Sequence, residues 1–76
     1  MKIVVTIFRK DSDPLEGVAD VSGIGVEVAA KLVGIPVDRF ADVYPLDQSQ
    51  ATALGELTGI VFDLDSYEYF LEPVAE

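Results

Sequence analysis

The residues of this chain that could do chemistry are acids and tyrosines. Aspartate and glutamate number 14, and histidine and cysteine are absent. Without imidazole, the histidine-dependent hydrolytic sites and the usual zinc centres are excluded. Without a thiol there is neither a cysteine nucleophile nor a disulfide. The serines Ser12, Ser22, Ser49 and Ser66 stand outside any G-x-S-x-G elbow. Two acidic pairs begin like calcium loops: Asp11 with Asp13, and Asp63 with Asp65. Such a loop needs an oxygen ligand at its fifth position and glycine at its sixth. Those positions hold Leu15 and Glu16 in the first case, Tyr67 and Glu68 in the second. Solvated turn acids are therefore favoured over calcium or a two-carboxylate magnesium site.

Gly23 and Gly25, between a strand pattern and a helix pattern, have the context of a dinucleotide-binding loop. The third glycine position falls on Val28, and the chain is too short for two mononucleotide-binding halves. These glycines read as turn geometry. A glycosidase-like carboxylate pair could be drawn from Asp42, Asp63 or Glu68, but with so many acids some pair always fits. A domain of this size also has little room for a deep cleft. The expectation is a protein without enzymatic activity, cofactor or metal.

Charge gives a more specific lead. Residues 1–39 hold all five basic side chains and six acids, whereas residues 40–76 hold eight acids and no base. An acidic half of one sign repels nucleic acid and anionic lipid, and it speeds encounter with a basic protein. The competing reading is that these acids only solvate the surface. Tyr44, Tyr67 and Tyr69 lie in the same half. Tyrosine combines a large apolar body with a polar tip, which suits interfaces, although a row of tyrosines can equally be core.

The elements that must position these groups form one domain spanning 1–76. Lys2 to Lys10 reads as a central strand, apolar on both faces, with Ile3, Val5 and Ile7 opposed to Val4, Thr6 and Phe8. The D-S-D-P turn follows, and Leu15 to Val21 returns as a second strand. Ser22 to Pro36 is expected to be helical, capped by Ser22, supported by Glu27 and Lys31, buried along Ile24, Val28 and Leu32 with Ala29 beside them, and stopped by Gly34 with Pro36. Residues 35–45 form a loop with at most one helical turn near Asp38. A second helix opens with a capping box of Asp47 and Gln50, buries Ala51, Leu54 and Leu57, and stops at Gly59. Gly55 inside it should cost about 1 kcal/mol relative to alanine. Ile60 to Leu71 returns to a β pattern, with D-L-D as its acidic leading turn.

The resulting β–β–α–α–β order predicts an α+β two-layer sandwich: three mainly antiparallel strands with both helices on one face. The last strand should pair with the first. Tyr67, Tyr69 and Leu71 then share one face, and Glu68, Phe70 and Glu72 the other. The face without helices would be open and partly apolar. No apolar run approaches the roughly 20 residues that span a bilayer. The start lacks the features of a signal peptide, so a soluble cytoplasmic protein is expected.

Two stretches, V-Y-P-L-D-Q-S-Q-A-T-A-L-G-E-L (Val43 to Leu57) and F-D-L-D-S-Y-E-Y-F-L-E (Phe62 to Glu72), resemble the ending of short acidic bacterial immunity-like proteins associated with polymorphic toxins. The likeness covers the C-terminal half. It implies a non-enzymatic inhibitor whose acidic face occludes a basic toxin or nuclease. The charge reading points the same way. The expected contact set is Asp42, Tyr44, Asp47, Asp63, Asp65, Tyr67 and Glu68, with acids steering and tyrosines anchoring. The alternative is a homo-oligomeric adaptor, a homodimer sealed over Val4 and Phe8.

Overall fold

A computed structural model describes residues 1–11 and 14–75. Its elements run β1 (Lys2–Arg9), β2 (Leu15–Asp20), α1 (Val26–Val33), β3 (Tyr44–Pro45), α2 (Gln48–Thr58) and β4 (Tyr67–Val74), with short 3-10 turns at Ser22–Ile24 and Val37–Arg39. Ser12 and Asp13, half of the expected D-S-D-P turn and of the first acidic pair, lie outside the described residues.

The fold is α+β, and the sheet has four antiparallel strands in the order β2-β1-β4-β3. The last strand pairs with the first, as the sequence suggests, from Lys2 opposite Val74 to Arg9 opposite Tyr67. The fourth strand is the addition. Tyr44 and Pro45 pair with Leu71 and Phe70, and the Leu46 N–H donates to the Tyr69 carbonyl at 3.0 Å. A two-residue strand containing proline has no readable alternation, which is why it reads as loop; proline is tolerated there because the strand is an edge. Ile7 faces Gly17 while Phe8 faces Leu15, so Glu16 is the extra residue of a bulge in β2.

Alternation separates the two faces of the sheet. Ile3 and Val5 of β1, with Tyr69 and Leu71 of β4, are buried beneath the helices, where Phe40, Leu46, Leu54, Ala29 and Ala30 complete the core. Among the described residues, no helix is long and apolar enough to cross a membrane.

Two helix expectations need correction. α1 starts at Val26, after Gly25 at φ 85°, so Ser22 is not its cap. The Ser22 hydroxyl instead accepts the Ile3 N–H at 2.9 Å, tying the start of β1 to the end of β2. Of the expected stripe, Ile24 and Leu32 do pack against the core. Ala29 and Ala30 turn inward with Val26 and Val33 packed beside them, and Val28 faces outward. In α2, Ala51 and Leu54 are buried but Leu57 is exposed. The loop after α2 supplies Ile60 and Phe62 to the core instead. β4 itself begins only at Tyr67, after a turn at residues 64–66.

The capping box at α2 is complete: Asp47 accepts the Gln50 N–H at 2.8 Å, and the Gln50 side chain accepts the Asp47 N–H at 2.9 Å. Gly34 and Gly59 end the two helices in the left-handed conformation.

The β2–α1 junction makes stability depend on pH. The Asp20 carboxyl is held below the ordinary carboxylate range by hydrogen bonds from the Ser22 hydroxyl and the Ser22 backbone N–H, the latter at 2.8 Å, with Lys2 adding its charge. The folded pKa lies below the unfolded one, so the unfolded chain takes up the proton first. The stabilisation is complete above the unfolded value, about pH 4, and is lost as pH falls through the folded value. Asp20→Asn should therefore flatten the acid limb of stability. Urea midpoints measured from neutral pH down to about pH 3 check this; an unchanged acid slope would contradict it.

Candidate protein-binding face

The sheet surface away from the helices is built by the second half of the same alternation. In β1 it carries Val4, Thr6 and Phe8, of which Val4, expected to be open, is already buried within the single chain; in β4 it carries Glu68, Phe70 and Glu72. Register places Thr6 beside Phe70 and Val18, Val4 beside Glu72 and Asp20, and Phe8 beside Glu68 and Leu15. Phe8 and Phe70 pack edge to face, with ring centroids 5.7 Å apart. Around them Leu15, Val18 and Val43 are 51%, 55% and 53% exposed, too much for residues of a covered layer. An open groove of about 520 Å³ crosses the face over the two phenylalanines, from Leu15 on one side to Val43 on the other. Isolated exposed apolar residues are ordinary, but a contiguous group on one sheet face marks a surface suited to a partner.

Charge on this face is unevenly satisfied. Lys2 lies 3.9 Å from Asp20, and Arg9 lies 3.4 Å from Glu16. The Arg9 guanidinium is held above its ordinary value chiefly by Glu16, then by Tyr67 and Asp11. Among the described residues Glu68 and Glu72 form no ion pair, although Lys10 and the Glu16-bound Arg9 line the same groove. Two carboxylates without an ion pair among the described residues thus flank Phe70 along β4.

The expected contact residues are distributed over three places. Asp65 and Tyr67 line a depression shared with Arg9, Lys10 and Asp11, while Tyr67 and Glu68 border a groove with Pro45, Leu46 and Leu64. Tyr44 and Asp42 sit together elsewhere. The Tyr44 hydroxyl accepts the N–H groups of Ala41 and Asp42 and donates to the Arg39 carbonyl, each at 3.2 Å, and its ring stacks on Phe40 at 5.4 Å. Asp47 caps α2. Asp63 accepts the Asp65 N–H at 3.2 Å, which makes D-L-D the turn leading into β4.

The tyrosine row belongs to the helix side. Tyr69 is buried, its hydroxyl accepts the Asp63 N–H at 2.9 Å, and the Phe62 ring meets it edge-on at 4.8 Å. Tyr67 is partly buried, with the Arg9 guanidinium 5.8 Å from its ring centre. Each tyrosine therefore has a structural task. The presented row is Glu68, Phe70 and Glu72, and of the expected contacts only Glu68 belongs to it. Alternation in the sequence reveals this row. The neighbours Leu15, Val18 and Val43 become visible only with the strand register, which depends on a bulge and a two-residue strand.

Among the described residues, no group of three or more acids is placed to hold a metal ion. The chain belongs to a family described as a domain of unknown function, DUF7683, whose model matches residues 2–72. No curated protein and no solved structure matches it.

Proposed function

For this DUF7683 member we propose a non-enzymatic role in protein binding, as an inhibitor that covers a basic surface of its partner. The immunity-type version makes that partner a toxin or nuclease and the location of the complex cytoplasmic. The observation that carries the reading is the uncovered sheet face, where Phe8 and Phe70 form an apolar centre bordered by Glu68 and Glu72. Apolar anchors within a charged rim are the usual anatomy of a protein interface. The formal charge of −9 adds long-range attraction for a cationic partner.

The same apolar centre supports a second reading, a homo-oligomeric adaptor in which a second copy seals the face. Two copies of a strongly acidic chain repel each other, which favours the basic partner.

The test is association with the product of the adjacent gene, measured at two salt concentrations on either side of physiological, together with sedimentation of the chain alone. A complex whose association rate falls steeply with salt, formed by a chain monomeric at micromolar concentration, is the expected result. Failure to form a complex, or an association rate indifferent to salt, would sink the electrostatic reading. A stable dimer would transfer the face to the adaptor role.

A further inference from the structure

The presented row of β4 has a spacing that specifies more than a sign of charge. Glu68, Phe70 and Glu72 are alternate residues of one strand, on the face opposite the helices. At about 3.3 Å per residue the two carboxylates stand about 13 Å apart, with the aromatic ring midway. The ring packs edge to face against Phe8, and the groove lies over both. Arg9 also lines the groove but is engaged by Glu16, and the nearby Lys2 by Asp20. Lys10 borders the groove and belongs to the Glu68 end, because its N–H bonds the Ser66 carbonyl two residues before Glu68. Glu72 is the carboxylate farther from that lysine.

We infer that the groove receives an extended, cationic segment of a partner protein, with basic residues at its first and fifth positions and an apolar residue at its third. This rests on the protein-binding reading. Such a segment, lying along β4, presents three side chains on one face at the strand's own spacing. The apolar residue meets Phe70, and each basic residue reaches one carboxylate. A second copy of this chain would bring its own Glu68 and Glu72 row against the same carboxylates, and like charges in opposition select against that occupant. Because Lys10 offsets part of the charge at Glu68, Glu72 makes the stronger of the two contacts.

Two synthetic peptides of one composition test the inference. The first carries arginines at positions one and five around a central leucine; the second places the arginines side by side. Each is titrated into the isotopically labelled full chain while amide shifts are followed by NMR. The spaced peptide is expected to bind about fivefold more tightly, the worth of one exposed ion pair, and to shift Thr6, Phe70 and Glu72. Glu72→Gln should remove most of that preference and Glu68→Gln less; Glu68 is exposed and Glu72 half-buried, and the same spectra check that each variant keeps the fold. Equal affinity for the two peptides, shifts centred on Asp63 and Asp65, or no binding by either would overturn the inference. If the product of the adjacent gene still binds in those cases, the protein-binding reading stands and only the spacing falls.

Discussion

Leu71→Ala should cost this domain on the order of 3 kcal/mol, within the range of about 2–5 kcal/mol for buried leucine truncations. Leu71 is fully buried in β4, opposite Val5 on one side and Tyr44 on the other, and it belongs to the core that joins the sheet to both helices. Removing its outer carbons empties a space that no flexible neighbour can refill. Val5 is held in the adjoining central strand, and the Tyr44 ring is held by its stacking on Phe40 and by its hydroxyl bonds to residues 39–42. A domain of this length has a total stability of only about 4–11 kcal/mol at typical values per residue. The loss is therefore a large fraction of the whole, equivalent to a fall of roughly 12–24 °C in Tm. Val61→Ala is the control: Val61 is 90% exposed, and its truncation should stay within about 0.5 kcal/mol. Urea denaturation measures both. Equal midpoints for the two variants would show that Leu71 is not at the centre of the core.

What this sequence reveals depends on how far apart the interacting residues lie along the chain. The alternation in β1 and β4 is legible because a strand's facing repeats every two residues, and both strands are long enough to show it. The capping box of Asp47 and Gln50 is legible because its partners are three residues apart. The same holds for the glycine stops at Gly34 and Gly59. Val28 and Leu57 mislead for a different reason. Helical periodicity identifies a face, but the rotation of that face toward the sheet is set by Gly25 and by how the loop of Ile60 and Phe62 folds back. Tyr44 and Tyr69 mislead in a third way. Their hydroxyls satisfy backbone N–H groups at Ala41, Asp42 and Asp63, and those partners are brought to them by turns that have no periodic signature. Asp47 and Asp63 differ from these: their backbone tasks, a helix cap and a turn, are local and legible, and the bonds formed there match them. The uncovered face is half legible. The row containing Phe70 follows from alternation, whereas its neighbours Leu15, Val18 and Val43 follow from register. Composition shows the acidic sign of the C-terminal half, while the residues gathered on the uncovered face become visible only with the register.

Gly55→Ala should destabilise the protein, against the sign that helix propensity alone gives. Gly55 lies within α2, where alanine is ordinarily better by about 1 kcal/mol. A Cβ at this position would stand 2.9 Å from the Ile60 carbonyl oxygen, with the Phe62 ring at 3.7 Å. The ring contact is ordinary, but the carbonyl contact is too close, and the atom that must yield is backbone. That backbone is constrained from both ends. The Ile60 N–H donates to the Thr58 hydroxyl at 3.2 Å, and Thr58 is itself bonded back to the Leu54 carbonyl. Farther along, Phe62 is fixed against Tyr69, whose hydroxyl holds the Asp63 N–H. Relieving the clash therefore displaces the segment that closes the core beside Tyr69. Overpacking of this kind costs about 1–3 kcal/mol, which outweighs the propensity gain or at least cancels it. Net destabilisation of about 1 kcal/mol is expected in urea, with altered ring shifts for Tyr69 in the NMR spectrum. A variant stabilised by about 1 kcal/mol would mean that the Ile60 carbonyl moves aside freely, and that Gly55 is an ordinary helix defect. The absent side chain is what allows residues 60–62 to pass close over α2, and that passage delivers Asp63 to Tyr69 at the start of the strand that presents Glu68, Phe70 and Glu72.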